Sequence, residues 1–189
     1  MKKLLISLLA VTLVACAHSP VQVQVRPQVE VAPEAFGTGF TVSVQGQNKL
    51  PGGGLGSLGG IYADQSQVQL ANNVEDALAD TVKEGFRAWS FEPVFSGADV
   101  QVVASLTSLK YTSPNKLLTS KVDSSAEVQL AVTIGGATYY GNYRSSGKDR
   151  NLIKPAKEEV EGRINGLLSA TLQRAFEDEK LKAFLRANL

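Results

Sequence analysis

Residues 121–146 read KVDSSAEVQLAVTIGGATYYGNYRSS, and the fold class turns on this stretch. Val122, Ser124, Ala126, Val128, Leu130, Val132 and Ile134 fall at every second position, and Lys121, Asp123, Ser125, Glu127, Gln129 and Thr133 alternate with them. A period of two places one set on each face of a strand. Gly135-Gly136 follows, and two glycines between alternating runs suit a tight hairpin because both tolerate positive φ. A return strand is expected from Ala137 to about Ser146, with Tyr139 and Tyr143 on one face and Tyr140 on the other.

Upstream, residues 99–110 alternate through Val100, Val102, Ala104 and Leu106, and residues 40–45 through Phe40, Val42 and Val44. Between these two strands lie a glycine-rich loop at 51–60, a short extended piece at 68–70, and a helix. Asn72 or Asn73 can cap that helix, with Glu75 and Asp76 in its first turn; Val74, Leu78, Val82, Phe86 and Trp89 give it one apolar face. Downstream, Pro155 suits the first turn of a long helix burying Val160, Ile164, Leu167, Leu168, Thr171, Leu172 and Ala175. Asp178 can cap a short terminal helix carrying Leu181, Phe184 and Leu185. The order β-α-β-β-β-α predicts an α+β fold in two layers. A four-stranded, mostly antiparallel sheet would carry both main helices on one face.

The amino terminus reads differently. Lys2 and Lys3 precede a largely apolar run at residues 4–14 that ends in Leu13-Val14-Ala15-Cys16. Eleven residues are too few to span a hydrocarbon core of roughly 30 Å, but they suit the apolar region of an export signal. The small residues before Cys16 resemble the lipobox of bacterial lipoprotein signals: a diacylglycerol is joined to the thiol, the peptide is cut between Ala15 and Cys16, and the new amino group is acylated, palmitate being a typical chain. Several acyl chains on one residue hold a protein firmly where a single chain binds marginally. Ala17 rather than Asp follows the cysteine, which by resemblance to enterobacterial sorting rules favours the outer membrane.

Three segments are therefore expected: a signal peptide at 1–15, a lipidated tether at 16–37, and one globular α+β domain at 38–189. In the tether Val21, Val23, Val25, Val29 and Val31 alternate with polar residues, while Pro27 and Pro33 interrupt the pattern. A proline-broken tether of this kind is expected to hold the domain off the membrane rather than pack into its centre.

Charge and chemistry exclude more than they select. The 19 basic and 18 acidic residues become 17 and 18 once Lys2 and Lys3 are removed, so the mature net charge is −1 and gives no reason to expect nucleic acid. The only Cys and the only His are Cys16 and His18, both at the export junction. The body thus lacks the side chains for a Ser-His-Asp or Cys-His nucleophile or a common zinc site, and no cofactor or metal is expected. Gly54-Leu55-Gly56-Ser57-Leu58-Gly59 matches a dinucleotide-binding pattern in form. No helix opens directly after it, so a surface loop is expected there instead. Gly162, Gly166 and Ala170 form a small-residue stripe, expected to let the last long helix approach the sheet or the other helix. Acidic residues sit on strands at Asp99, Asp123 and Glu127, which leaves a carboxylate enzyme formally open.

Several pieces of the chain together resemble the YajG family of bacterial lipoproteins. They are Val23-Gln24-Val25-Arg26-Pro27 with Val29-Glu30-Val31-Ala32-Pro33, Thr41-Val42-Ser43-Val44-Gln45-Gly46, Asn142-Tyr143-Arg144-Ser145-Ser146, and Ala183-Phe184-Leu185-Arg186-Ala187-Asn188. The glycine run at 51–60 departs from the family's polar loop. The resemblance implies an outer-membrane lipoprotein facing the periplasm and brings no activity with it.

The functional expectation is a non-catalytic, lipid-anchored lipoprotein that binds or scaffolds an envelope protein or peptidoglycan. Tyr139, Tyr143 and Arg144 offer a docking surface if the outer face of the sheet is open. The alternatives are a carboxylate enzyme acting on peptidoglycan or another glycan, and a carrier of a small apolar ligand.

Overall fold

The computed structural model describes residues 20–52, 55–58, 67–112, 120–151 and 155–189. The signal peptide, Ala15, Cys16 and His18 lie outside the described residues, as do four glycines of the 51–60 run.

The elements in chain order are β1 (Val21–Val23), β2 (Thr41–Asn48), β3 (Gly56–Ser57), β4 (Gln67–Leu70), α1 (Val74–Ala88), β5 (Glu92–Pro93), β6 (Val100–Thr112), β7 (Ser120–Ile134), β8 (Ala137–Asn151), α2 (Lys157–Phe176) and α3 (Glu179–Asn188). The hairpin β7–β8 turns at Gly135 and Gly136, whose φ angles are 54° and 90°. Val122 through Ile134 are buried at alternate positions. The seven side chains that face inward from β7 therefore follow the period-two pattern.

The sheet itself corrects the expected architecture. It is mixed and has eight strands among the described residues, not four, and four of its seven pairings are parallel. β2 lies parallel to β6 from Val42↔Val100 to Asn48↔Leu106 because α1 intervenes between them in sequence. A strand that returns through a helix comes back in the same direction. β6 outlasts β2: a register shift between Leu106 and Ser108 bends it, and beyond that point β3 takes the place of β2 at Tyr111 and Thr112. β4 and β1 continue the sheet from there.

The glycine-rich run accordingly supplies a strand where a surface loop was expected, and Leu55 and Leu58 on either side of β3 are buried. Gly56 has φ 138°, and a Cβ there would stand 1.8 Å from the Tyr111 carbonyl oxygen. Only glycine fits this contact.

α1 packs on β2, and α2 on β7 and β8, with the two helices meeting where Phe176 lies edge-on to Phe86 and Trp89. Both helices thus share one layer. α1 is capped by Asn73, whose side chain accepts from the Asp76 N–H, and α3 by Asp178. α2 begins two residues after Pro155, with Ala156 at its cap. Gly162 and Gly166 do not serve close packing: a Cβ at either position would meet nothing within 4 Å.

Candidate functional site

Residues 21–36 do not stand off the body as a tether. After β1, which pairs in parallel with β4, the chain runs extended down the groove between α1 and α2, and Val23 and Val25 are fully buried. Successive backbone N–H groups of an extended chain point to opposite sides, so the even residues face α2. Gln24 N–H donates to Glu161 Oε2 at 2.9 Å, Arg26 N–H to Asn165 Oδ1 at 2.6 Å, Gln28 N–H to Ser169 Oγ at 2.8 Å, and Glu30 N–H to Gln173 Oε1 at 2.9 Å. Asn165 and Gln173 return the bond, donating to the carbonyls of Gln24 and Glu30.

The two ladders match in pitch. Two residues of extended chain advance roughly 6.6 Å and four of helix roughly 6.0 Å, so every second strap residue meets every fourth helix residue. The odd residues face α1. Val25 exchanges two bonds with the Asn72 side chain, and the Pro27 carbonyl accepts from Thr81 Oγ1 at 2.9 Å. Pro27 has no N–H to leave unpaired, so a residue that would break a central strand is accommodated here. Burial of Val23 and Val25, at about 1.5–3 kcal/mol each, outweighs any one of the polar contacts, which contribute about 1 kcal/mol or less when exposed.

The strap ends in a clamp. Glu34 N–H donates to the Ala88 carbonyl, and Ser90 Oγ donates to the Glu34 carbonyl. The Glu34 carboxylate pairs with Lys182 at 3.0 Å and with Arg186, both on α3. The hydrogen bond from Lys182 holds Glu34 below the usual carboxylate range and raises Lys182 in turn. Lys182 also lies over the Trp89 ring and Arg186 over Phe36. Strap, α1 and α3 are thereby joined at one point.

The expected docking surface is not assembled. Tyr139 and Tyr143 point under the helical layer, and their hydroxyls donate to Asp178 Oδ2 at 2.5 and 2.9 Å, while Tyr139 also stacks near Phe184. Arg144 lies on the opposite face of the same strand, paired with Glu127 at 3.2 Å. Alternation separates it from the tyrosines, and α3 closes over them, burying Tyr143 and partly covering Tyr139. The outer face of the sheet is open, but Tyr140 is the large aromatic exposed on it. Burial opposes ionisation of Asp178, yet the bonds from Tyr139, Tyr143 and the Lys180 N–H outweigh it and hold its pKa low. Burial pushes Tyr143 far up.

The other acids lie apart. Asp99 accepts from the Thr41 N–H and hydroxyl, and Asp123 lies 3.9 Å from Lys121 on the outer face. Among the described residues no group of three or more His, Cys, Asp or Glu side chains converges as a metal site would require, and no helix is long and apolar enough to cross a membrane.

Three solved structures align with this chain. Protein XCC0632 of Xanthomonas campestris, of family DUF330, aligns with a TM-score of 0.54 at 10% identity over 81% of this chain and 91% of its own. A neuraminyllactose-binding hemagglutinin homolog from Helicobacter pylori gives 0.40 at 7% identity, over 84% of this chain and 95% of its own. Lipoprotein GNA1162 of Neisseria meningitidis gives 0.29 at 13%, over 74% and 99%. The first shares the fold. No curated protein matches the sequence. A family model described as uncharacterized lipoprotein matches residues 27–186, from the proline in the middle of the strap to the last turn of α3. The chain therefore belongs to this lipoprotein family, the YajG lipoproteins.

Proposed function

We propose that the protein is held at the periplasmic face of the outer membrane by lipid on Cys16 and acts there by binding an envelope component rather than by catalysis. The observation that supports this most is the strap. It fixes the chain to the body from Val21 onward, five residues after Cys16, so the anchor and the folded body form one short mechanical unit. At no more than about 3.6 Å per residue, five residues reach roughly 18 Å, which keeps the body beside the bilayer. Family membership agrees with an envelope lipoprotein. The acids lie apart rather than converging in a cleft, which favours surface recognition over carboxylate catalysis.

Fractionation of the native envelope tests it. Wild-type protein should float with outer-membrane density, and Cys16→Ser should leave that density with the body still folded, whether it keeps its signal at the inner membrane or is released. Cys16→Ser remaining at outer-membrane density would contradict the anchor.

A further inference from the structure

The strap is not held evenly along its length. In its first part Val23, Val25 and Pro27 are buried, and β1 is paired to β4. From residue 28 to residue 36 nothing is buried: Val29, Val31, Glu34 and Phe36 are half-covered and the residues between them are exposed. Residues 28–33 are bonded to α2 alone, through Ser169 and Gln173 at the surface. Among the described residues no hydrogen bond joins them to α1. On that side a groove of about 970 Å³ lies open beside Val29, between Asp80 and Glu84 of α1 and Ala170 of α2.

The far end of this stretch is held by the clamp, and the clamp carries two costs. Ser90, whose Oγ donates to the Glu34 carbonyl, has φ 66°, a left-handed conformation that is unfavourable for a residue with a Cβ. The indole N–H of the neighbouring Trp89 is buried and has no hydrogen-bond partner among the described residues. A buried donor left unpaired is destabilising. Backbone strain of this kind persists only where surrounding contacts impose it, and it gathers at switch regions. Here the contacts are the ion pairs of Glu34 with Lys182 and Arg186 and the packing of Phe36 on Trp89 and Phe91. Beyond them the chain turns at Gly37–Phe40, with Gly39 at φ 87°, and enters β2.

We propose that residues 28–36 are a lid, latched by Glu34, which lifts between Pro27 and the turn at Gly37–Phe40 while residues 21–27 stay in place. Lifting takes Phe36 off Trp89, releases Ser90 from its bond to the lid, and opens the Trp89 indole N–H to water. The body then has two states with one common attachment to the anchor, since Val23 and Val25 remain buried in both. This inference goes beyond the binding role above, and neither the lipid nor a partner enters its test.

The test compares amide exchange in the full chain, wild type and Glu34→Gln, a substitution that keeps the shape of the side chain and removes its charge. Trp89 is the only tryptophan, so its fluorescence reports on the latch directly. Glu34→Gln should speed exchange at Gln28, Glu30 and Glu34 together by about tenfold, with Val25 and the β7 amides unchanged. Acrylamide should quench Trp89 more strongly in the variant. Acceleration at Glu34 alone would reduce the latch to a local contact, and equal acceleration at Val25 would mean that the whole strap lifts. Acceleration in β7 would mean that the body unfolds, and no change at any of these amides would mean that Glu34 latches nothing. Each of these four results would overturn the proposal.

Discussion

Asp178 does two jobs with one carboxylate: Oδ1 accepts from the Lys180 N–H and caps α3, and Oδ2 receives both tyrosine hydroxyls. Asp178→Ala removes a cap worth about 1 kcal/mol and leaves two partly buried hydroxyls unpaired, so a loss of about 2–3 kcal/mol in urea unfolding is expected. Both Asp178 and Glu34 have folded-state pKa values below their ordinary ones. The stability they contribute is therefore fully present above the ordinary carboxylate range and is lost as pH falls through the lowered values. An acid titration of Asp178→Ala should show a shallower loss of stability below about pH 4 than the wild type, on general carboxylate values. Gly162 and Gly166 make the opposite case. Both lie exposed in the middle of α2 with open space around them, so Gly166→Ala should raise stability by about 0.5–1 kcal/mol, read as a higher urea midpoint. A decrease would show that an unseen contact uses the glycine.

At the scale of elements, the strap and α2 are joined by side chains from one and backbone from the other. Asn165 makes two of these bonds, to Arg26 N–H and to the Gln24 carbonyl. Asn165→Ala should speed amide exchange of Arg26 by about tenfold while protection in β7 stays unchanged, which separates local release from global unfolding. Equal acceleration in both places would mean that the strap is not an independent unit. Much of this level was legible in the sequence. The faces of β7, α1 and α2 followed from periods of 2 and 3.6, and Asp178 from its place between two helices. The parallel course of β2 beside β6 was implicit in strand–helix–strand order but was hidden by the hairpins around it. The strap was misread because both halves of its interaction are local patterns with separate meanings: alternating valines look like a tether, and Glu161, Asn165, Ser169 and Gln173 look like a solvated helix row. Nothing within either segment signals that their pitches match across more than 130 residues. β3 was missed for the same reason, since its glycine is selected by the Tyr111 carbonyl far along the chain.

For the molecule as a whole, lipid on Cys16, as proposed, would let the order of parts along the chain set its geometry at the membrane. The long strands β7 and β8 extend roughly 50 Å at 3.3 Å per residue, about three times the reach of the chain from Cys16 to β1, which four residues separate. So anchored, one end of the sheet would be kept near the bilayer and the Gly135-Gly136 turn would be carried away from it. All of this depends on the chemical state of a single sulfur. Mass spectrometry of the amino-terminal peptide, purified from membranes of the native host, reads that state directly. The expected result is a chain that begins at Cys16 and carries a diacylglyceryl thioether and an acylated amino group. A free thiol at Cys16, with residues 1–15 still attached, would contradict it.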